Sequence, residues 1–327
     1  MEWTVAIGVD THARMHVAVA VDRVGRVLGS LELAVDEEGF AALARFACLL
    51  GEPAFVVEGT GSYGASLARA LLADGFPVYE CERRERRSRG GKNDLLDAEA
   101  AARRLLSGKR LPLPRGGGVG REQLRLLLAE RRSAQHARLQ ARNQLQAAIL
   151  TLDPPLRARL DRVDPAALYR FALVRRTPSL APLRRLSRRI QQLERELAAI
   201  DAELAELTQA LCPQLLAEHS VGPLCTAQVL VSAADPTRLK SEASFAALAG
   251  VSPIEASSGP TKRHRLNRGG DRQLNWALHM SALNRIRHHP ETRAYYQRLL
   301  SNGKTKREAI RIVKRVLARR LYRTLTT

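Results

Sequence analysis

Four carboxylates in the first third of the sequence sit where a metal-dependent phosphoryl-transfer site needs them. Asp10 closes the apolar run Val5-Ala6-Ile7-Gly8-Val9, and Glu58 closes Ala54-Phe55-Val56-Val57. Asp94 and Asp97 lie in Lys92-Asn93-Asp94-Leu95-Leu96-Asp97-Ala98. Carboxylates at the ends of buried strands commonly hold Mg²⁺ against a polyanion, because the hard ion takes oxygen ligands and several acids offset the charge. Two such ions about 3.5–4 Å apart would stabilise the attacking and leaving oxygens of an in-line displacement. Mg²⁺ is therefore the expected cofactor, with Mn²⁺ able to substitute. Each acid alone reads as a helix cap or a surface group. All four in this order, after the strands that would gather them, argue for a catalytic, metal-binding tetrad.

A second chemistry is offered by Ser258, in Gly250-Val251-Ser252-Pro253-Ile254-Glu255-Ala256-Ser257-Ser258-Gly259-Pro260-Thr261-Lys262-Arg263. A serine hydroxyl that attacks phosphate needs access, nearby cations for the developing charge, and a base or metal to activate it. Lys262, Arg263, Arg265, Arg268 and Arg272 supply cations in its sequence neighbourhood. A Ser-Ser-Gly segment on its own is ordinarily a turn. A further basic run, Arg83 to Lys92, holds six Lys/Arg in ten residues, with Arg83, Arg84, Arg86, Arg87 and Lys92 as candidate phosphate contacts.

The elements that must position these groups follow from periodicity. Apolar runs at 4–10, 15–22 and 26–33 read as a three-stranded meander, 40–50 as a helix and 54–58 as a short buried strand. After the break Gly59-Thr60-Gly61-Ser62-Tyr63-Gly64, residues 65–73 read as a helix, 77–80 as a strand and 94–106 as an alanine-rich helix. On that helix Asp94 and Asp97 are three apart and share a face. The order βββαβαβ followed by a helix is α/β and matches the ribonuclease-H-like arrangement.

Gly108 to Gly120 is the clearest linker. Long helical patterns follow over 121–152 and 183–211, the second with Leu186, Ile190, Leu193, Leu197, Ile200, Leu204, Leu207 and Leu211 at 3,4 spacing over roughly four heptads. That stripe is the mark of a coiled coil or an antiparallel helical pair, serving either as an oligomerisation arm or as one helix packed within its own domain. Prolines 154, 155, 165, 178 and 182 interrupt the stretch between the helices. Residues 213–327 read as a compact helical domain, in which His219-Ser220-Val221-Gly222-Pro223 before an apolar helix resembles a helix-hairpin-helix turn, or an ordinary connection. The expected organisation is an α/β domain over 1–112, a helical, coiled-coil region over 113–212 and an all-α domain over 213–327.

The 327 residues carry a net charge of +20 that is unevenly spread. Residues 1–60 hold 4 Lys/Arg against 9 Asp/Glu, and residues 261–327 hold 18 against 3. An acidic head suits a metal site and a basic tail suits a polyphosphate partner, most simply double-stranded DNA. Aromatic residues are only 4% of the chain, so a stacking platform for single strands is not visible and phosphate contacts should dominate. The four cysteines, at 48, 81, 212 and 225, lack metal-ligand spacing and offer no disulfide framework. The sequence shows neither a secretory core nor an apolar run of about 18 residues, which predicts a cytoplasmic, nucleoid-associated protein without membrane contact.

Several motifs together resemble the insertion-sequence-110 family of transposases. They are Ile7-Gly8-Val9-Asp10-Thr11, Glu58-Gly59-Thr60-Gly61-Ser62-Tyr63, Lys92 to Ala98, Ser220-Val221-Gly222-Pro223, Phe245 to Pro253, Ser258-Gly259 and Arg268-Gly269-Gly270-Asp271-Arg272-Gln273-Leu274. The resemblance implies a RuvC-like domain with an Asp-Glu-Asp-Asp tetrad, a coiled-coil middle and a C-terminal helical transposase domain with a catalytic serine. On this sequence the tetrad would be Asp10, Glu58, Asp94 and Asp97, and the serine Ser258 rather than Ser257. It further implies a homo-oligomeric recombinase, a dimer or tetramer, acting on donor and target DNA under a structured guide RNA. Where the family has a basic residue, Ser/Thr and Asp, this chain has Lys92-Asn93-Asp94.

Three other readings compete. A Holliday-junction resolvase would use the tetrad with water as nucleophile and not need Ser258. A sugar-kinase or actin-like ATPase would share Gly8-Val9-Asp10-Thr11 but needs further glycine-rich nucleotide loops, which the sequence lacks. A basic, non-catalytic nucleic-acid-binding protein would not need the acids.

Overall fold

The computed structural model describes residues 3–81, 93–108, 111–114, 118–151, 154–160, 180–234, 239–255, 264–265 and 267–326. The chain divides into two compact units, 1–117 and 118–327.

The first unit is built on β1 (Val5–Thr11), β2 (Met15–Asp22), β3 (Val27–Ala34), β4 (Pro53–Glu58) and β5 (Val78–Cys81), in the order β3-β2-β1-β4-β5. β1 pairs antiparallel with β2 and parallel with β4, β2 pairs antiparallel with β3, and β4 pairs parallel with β5. These orders and directions agree with the ribonuclease-H-like arrangement that the βββαβαβ pattern predicts.

Both faces of the central strands are covered, so β1 and β4 are continuous apolar runs rather than alternating ones. Val5, Ile7, Val9, Phe55 and Val57 pack against α1 (Glu37–Leu50) and α2 (Ala65–Ala73) through Leu43, Ala47, Leu67 and Leu71. Ala6, Val17, Val19 and Val21 face the other way and meet Ala98 and Ala102 of α3 (Asp94–Leu106), while Val56 meets Ala101. Asp36 caps α1 by accepting from the Gly39 N–H at 2.8 Å. The alanines of α3 let the helix axis lie close to the sheet. At the closest point, a Cβ added to Gly8 would stand 2.0 Å from the Ala98 carbonyl oxygen, so β1 must carry glycine there.

In the second unit α4 (Gly118–Leu150) and, after α5 (Pro154–Leu160), α6 (Ala181–Leu211) form an antiparallel pair. Leu124 and Leu128 meet Ile200 and Leu204 at one end, and Ala141, Leu145 and Ile149 meet Leu183 and Ile190 at the other. Arg131 binds Asp201 at 2.6 Å and Arg142 binds Glu194 at 3.1 Å, which fixes the register. Leu186, Ile190, Ile200, Leu204 and Leu207 of the α6 stripe are thus packed within their own chain, while Leu211 is exposed.

The rest of the unit comprises α7 (Pro213–Leu216), α8 (Pro223–Ala233), α9 (Glu242–Leu248), the short hairpin β6 (Ile254–Glu255) and β7 (His264–Arg265), α10 (Arg272–His288), α11 (Pro290–Ser301) and α12 (Lys306–Thr326). Its core joins Leu215, Val229, Phe245, Leu274, Leu278, Leu317 and Leu321. Cys225 is buried there as a small apolar residue, and burial pushes its thiol up to about 11. No helix among the described residues is long and apolar enough to cross a membrane.

Candidate active site

Register brings the first-unit acids together. Val9 on β1 is level with Val57 on β4, so Asp10 and Glu58, one residue further along parallel strands, share the α3 side of the sheet. The Gly8–Ala98 approach then sets the start of α3, four residues before Ala98, beside Asp10. Asn93 opens that helix by accepting from the Leu95 N–H at 3.0 Å. Asparagine is as good an N-cap residue as serine, so the helix start is firmly closed there.

Asp10 is buried, Asp94 half-buried and Asp97 exposed, with Glu58 half-buried at its strand end. Donor atoms of Asp10, Asp94 and a residue not anticipated, His12, lie within 4.8 Å of one another. His12 Nε2 is 3.1 Å from Asp10 Oδ2 and 3.2 Å from Asp94 Oδ2. Glu58 and Asp97 lie outside this cluster, Asp97 one turn further along α3. The Glu58 carbonyl accepts from Thr11 Oγ1 at 2.9 Å, which ties the ends of β1 and β4. Two carboxylates and an imidazole converging at the edge of a buried sheet are a donor set that fits a divalent cation.

Behind the cluster, on the opposite face of the sheet, His16 is fully buried and stacked on Phe40, with ring centroids 6.3 Å apart. Burial lowers its pKa, and its Nδ1 accepts from the His12 backbone N–H at 3.2 Å. Its buried Nε2 finds no hydrogen-bond partner among the described residues.

In the second unit a short hairpin stands on a glycine crossing. A Cβ on Gly270 would stand 2.3 Å from the Gly250 nitrogen, and Gly250 has φ +64°. The two loops therefore pass backbone against backbone. Asp271 N–H donates to the Leu248 carbonyl, Asn275 Nδ2 donates to the Ala249 carbonyl at 2.7 Å, and Lys314 Nζ donates to Asn275 Oδ1 at 2.9 Å. Asp271 also caps α10 and accepts from Ser232 Oγ at 2.6 Å.

From this crossing rises the β6–β7 hairpin, pairing Ile254 with Arg265 and Glu255 with His264. Ser258 and its neighbour Ser257, with Lys262 and Arg263, fall in the span between those strands and lie outside the described residues, as do Arg83, Arg84, Arg86, Arg87 and Lys92. Arg265, Arg268 and Arg272 are exposed. At the hairpin's base is a groove of about 500 Å³ lined by Arg265, Lys304, Arg311, Lys314, Arg315 and Arg319, with Glu308 on the same wall. Lys314 is buried, and burial with the nearby Arg311 charge lowers its pKa. Arg315 and Arg319 are steadied by Glu242, at 3.6 and 2.9 Å.

The helix-hairpin-helix-like turn is held from α10. Ser220 adopts φ +63°, its hydroxyl donates to Asn284 Oδ1 at 3.2 Å, and the buried Arg285 donates to the His219 carbonyl at 2.9 Å. Gly222 precedes α8 with open space around it.

Both units match known families. Residues 7–154 match a transposase family of the IS110 type named for its DEDD residues, and residues 213–297 match the transposase IS116/IS110/IS902 family. The chain belongs to the IS110 family of transposases. A similar protein, the uncharacterised 43.6 kDa protein of insertion element IS110 from Streptomyces coelicolor, is 36% identical over 116 residues. That match spans 34% of this chain and 28% of the relative. The first family match takes in Asp10, Glu58, Asp94 and Asp97, and the second takes in the glycine crossing and the Ser258 hairpin. The cations of α12 lie beyond it.

Two features escaped the sequence reading. His12 had a signal available: it follows Asp10 by two residues, so strand periodicity turns both to one face. The α12 cations had only a basic helix to announce them, which ordinarily means a solvated face.

Proposed function

We propose that this IS110-family chain is a site-specific DNA recombinase that cuts and rejoins strands by transesterification. The observation that carries the reading is the convergence of Asp10 and Asp94, whose donor atoms suit a divalent cation, in a chain whose other unit lines a groove with Arg and Lys side chains. Asp10 and Asp94 would hold Mg²⁺ or Mn²⁺ directly, with Glu58 and Asp97 completing the tetrad on the substrate side. Bound metal supplies charge stabilisation at the attacking and leaving oxygens of the phosphate. Ser258 Oγ is the nucleophile: its bond to phosphorus forms as the bond to one sugar oxygen breaks, leaving a sugar hydroxyl. Attack by a second strand's hydroxyl reverses the step and frees the serine. Bond types are conserved throughout, so no external energy source is required.

Arg265, Arg268, Arg272 and the groove cations would neutralise backbone phosphates, with Lys262, Arg263 and the Arg83–Lys92 run extending the track. Family membership supports a homo-oligomer guided by a structured RNA, and the outer charges of the α4–α6 pair offer the arm for assembly. The test is recombination of the gene's flanking DNA by wild type and by Asp94→Ala, each verified as folded. Loss in the variant supports the metal assignment, and full activity would overturn it.

A further inference from the structure

His12 has no part in the four-carboxylate scheme, yet it reaches two of its members. We propose that His12 is a nitrogen ligand of the metal held by Asp10 and Asp94, and that it biases the site toward Mn²⁺ and similar transition ions over Mg²⁺. This inference rests on the reading of the acidic cluster as a metal centre.

The geometry argues for it. An octahedral ion with ligand bonds of about 2.1 Å holds neighbouring donor atoms about 3 Å apart. His12 Nε2 stands 3.1 Å from Asp10 Oδ2 and 3.2 Å from Asp94 Oδ2, separations that suit adjacent ligands of one ion. An ordinary surface ion pair would join one histidine to one carboxylate. Here acids from a strand end and from a helix start converge on the same ring nitrogen.

The backbone that carries His12 is also held in place. Its N–H is held at 3.2 Å by Nδ1 of the buried His16, and the preceding residue, Thr11, is tied to β4 through the Glu58 carbonyl. His16 is thus a positioning residue for His12. Chemistry gives the consequence. Mg²⁺ prefers oxygen ligands and dehydrates reluctantly, whereas imidazole suits Fe²⁺, Ni²⁺, Cu²⁺ and Zn²⁺, and Mn²⁺, though at home among oxygen ligands, is softer than Mg²⁺ and accepts one nitrogen more readily. Exchanging one oxygen donor for nitrogen weakens the site's preference for Mg²⁺.

The experiment uses the full-length protein with Mn²⁺ alone, read by electron spin-echo envelope modulation and by Mn²⁺ and Mg²⁺ titration calorimetry. Wild type should bind Mn²⁺ with a ¹⁴N coupling from imidazole. His12→Ala and His12→Gln should both lose that coupling while still binding Mn²⁺. Mn²⁺ affinity should fall on the order of tenfold to a hundredfold, the range known for groups that merely support a metal ligand, and Mg²⁺ affinity should fall less. Mn²⁺ binding that Asp10→Asn removes but that shows no ¹⁴N coupling, or a coupling that survives His12→Ala, overturns the proposal. Mn²⁺ binding indifferent to both Asp10→Asn and Asp94→Asn would instead sink the metal-centre reading itself, and the proposal with it.

Discussion

The two units gather opposite charges by opposite construction. In the first, acids converge at the end of a sheet, and regular periodicity places them: strand register levels Asp10 with Glu58, and one glycine lets α3 bring Asp94 alongside. In the second, cations from one face of α12 and from β7 line a groove at the base of a two-residue-per-strand hairpin, beside a crossing of two irregular loops. A metal site tolerates little error in donor separation, so it is built where hydrogen-bonded register fixes distances. A polyanion is gripped by long, adjustable side chains, so loops and one helix face suffice.

The strongest break in the comparison is removal of the converging acids. Asp10→Asn or Asp94→Asn should lower recombination about a thousandfold or more, equivalent to some 4 kcal/mol of transition-state stabilisation. Each should also abolish the rise in melting temperature that saturating Mn²⁺ gives wild type, a linkage of about 2.7 kcal/mol at a hundred times Kd. A retained thermal shift in both variants would move the ion elsewhere.

Paired glycine substitutions sharpen the contrast. Gly8→Ala should cost about 1–3 kcal/mol or more in denaturant unfolding, because the added carbon meets backbone rather than a flexible side chain. It should weaken Mn²⁺ binding as α3 is pushed from β1. Gly270→Ala should destabilise to a similar degree, yet leave Mn²⁺ binding intact while strand joining fails. Equal effects of both on metal binding would refute a division of labour between the units.

A smaller effect is expected at the exposed Arg265. Arg265→Met should weaken DNA binding evenly across sequences and reduce the salt slope by about one, measured by fluorescence anisotropy at several salt concentrations. An unchanged slope would take the groove off the phosphate track. The smallest effect concerns His279, whose pKa is lowered by burial and then by Lys314. With the folded value depressed, the unfolded state takes up its proton first, so stability is lost as pH falls below about 6.5. His279→Gln should flatten that slope in urea titrations, and a slope left as steep would remove His279 from the account.

Much of the first unit was legible because its elements are long and their faces differ. The runs at 4–10, 15–22 and 54–58 became β1, β2 and β4 with ends shifted by at most a residue, and the helix over 94–106 was found with its start at Asp94. Gly8 read as one residue of an apolar run, because the helix it admits lies some ninety positions away. His12 was missed since a lone histidine past a strand end is ordinarily a surface group, and its partners come from separate elements. The stripe of α6 was visible, but only packing shows most of it covered within the chain. The β6–β7 hairpin is too short for any alternation to register, and the Gly250–Gly270 contact joins two segments that each read as a loop.

We propose that a serine of the second unit and the acids of the first perform one reaction. Trapping a covalent protein–DNA adduct under denaturing conditions tests it most directly. The full chain, Ser258→Ala and Asp10→Asn would each be incubated with the gene's native flanking DNA and Mg²⁺ or Mn²⁺. The account predicts an adduct in wild type that both substitutions eliminate. An adduct persisting in Ser258→Ala would contradict the nucleophile and turn attention to Ser257. Metal-dependent nicking in wild type and Ser258→Ala, without any adduct, would contradict the claim as a whole and favour hydrolysis by water.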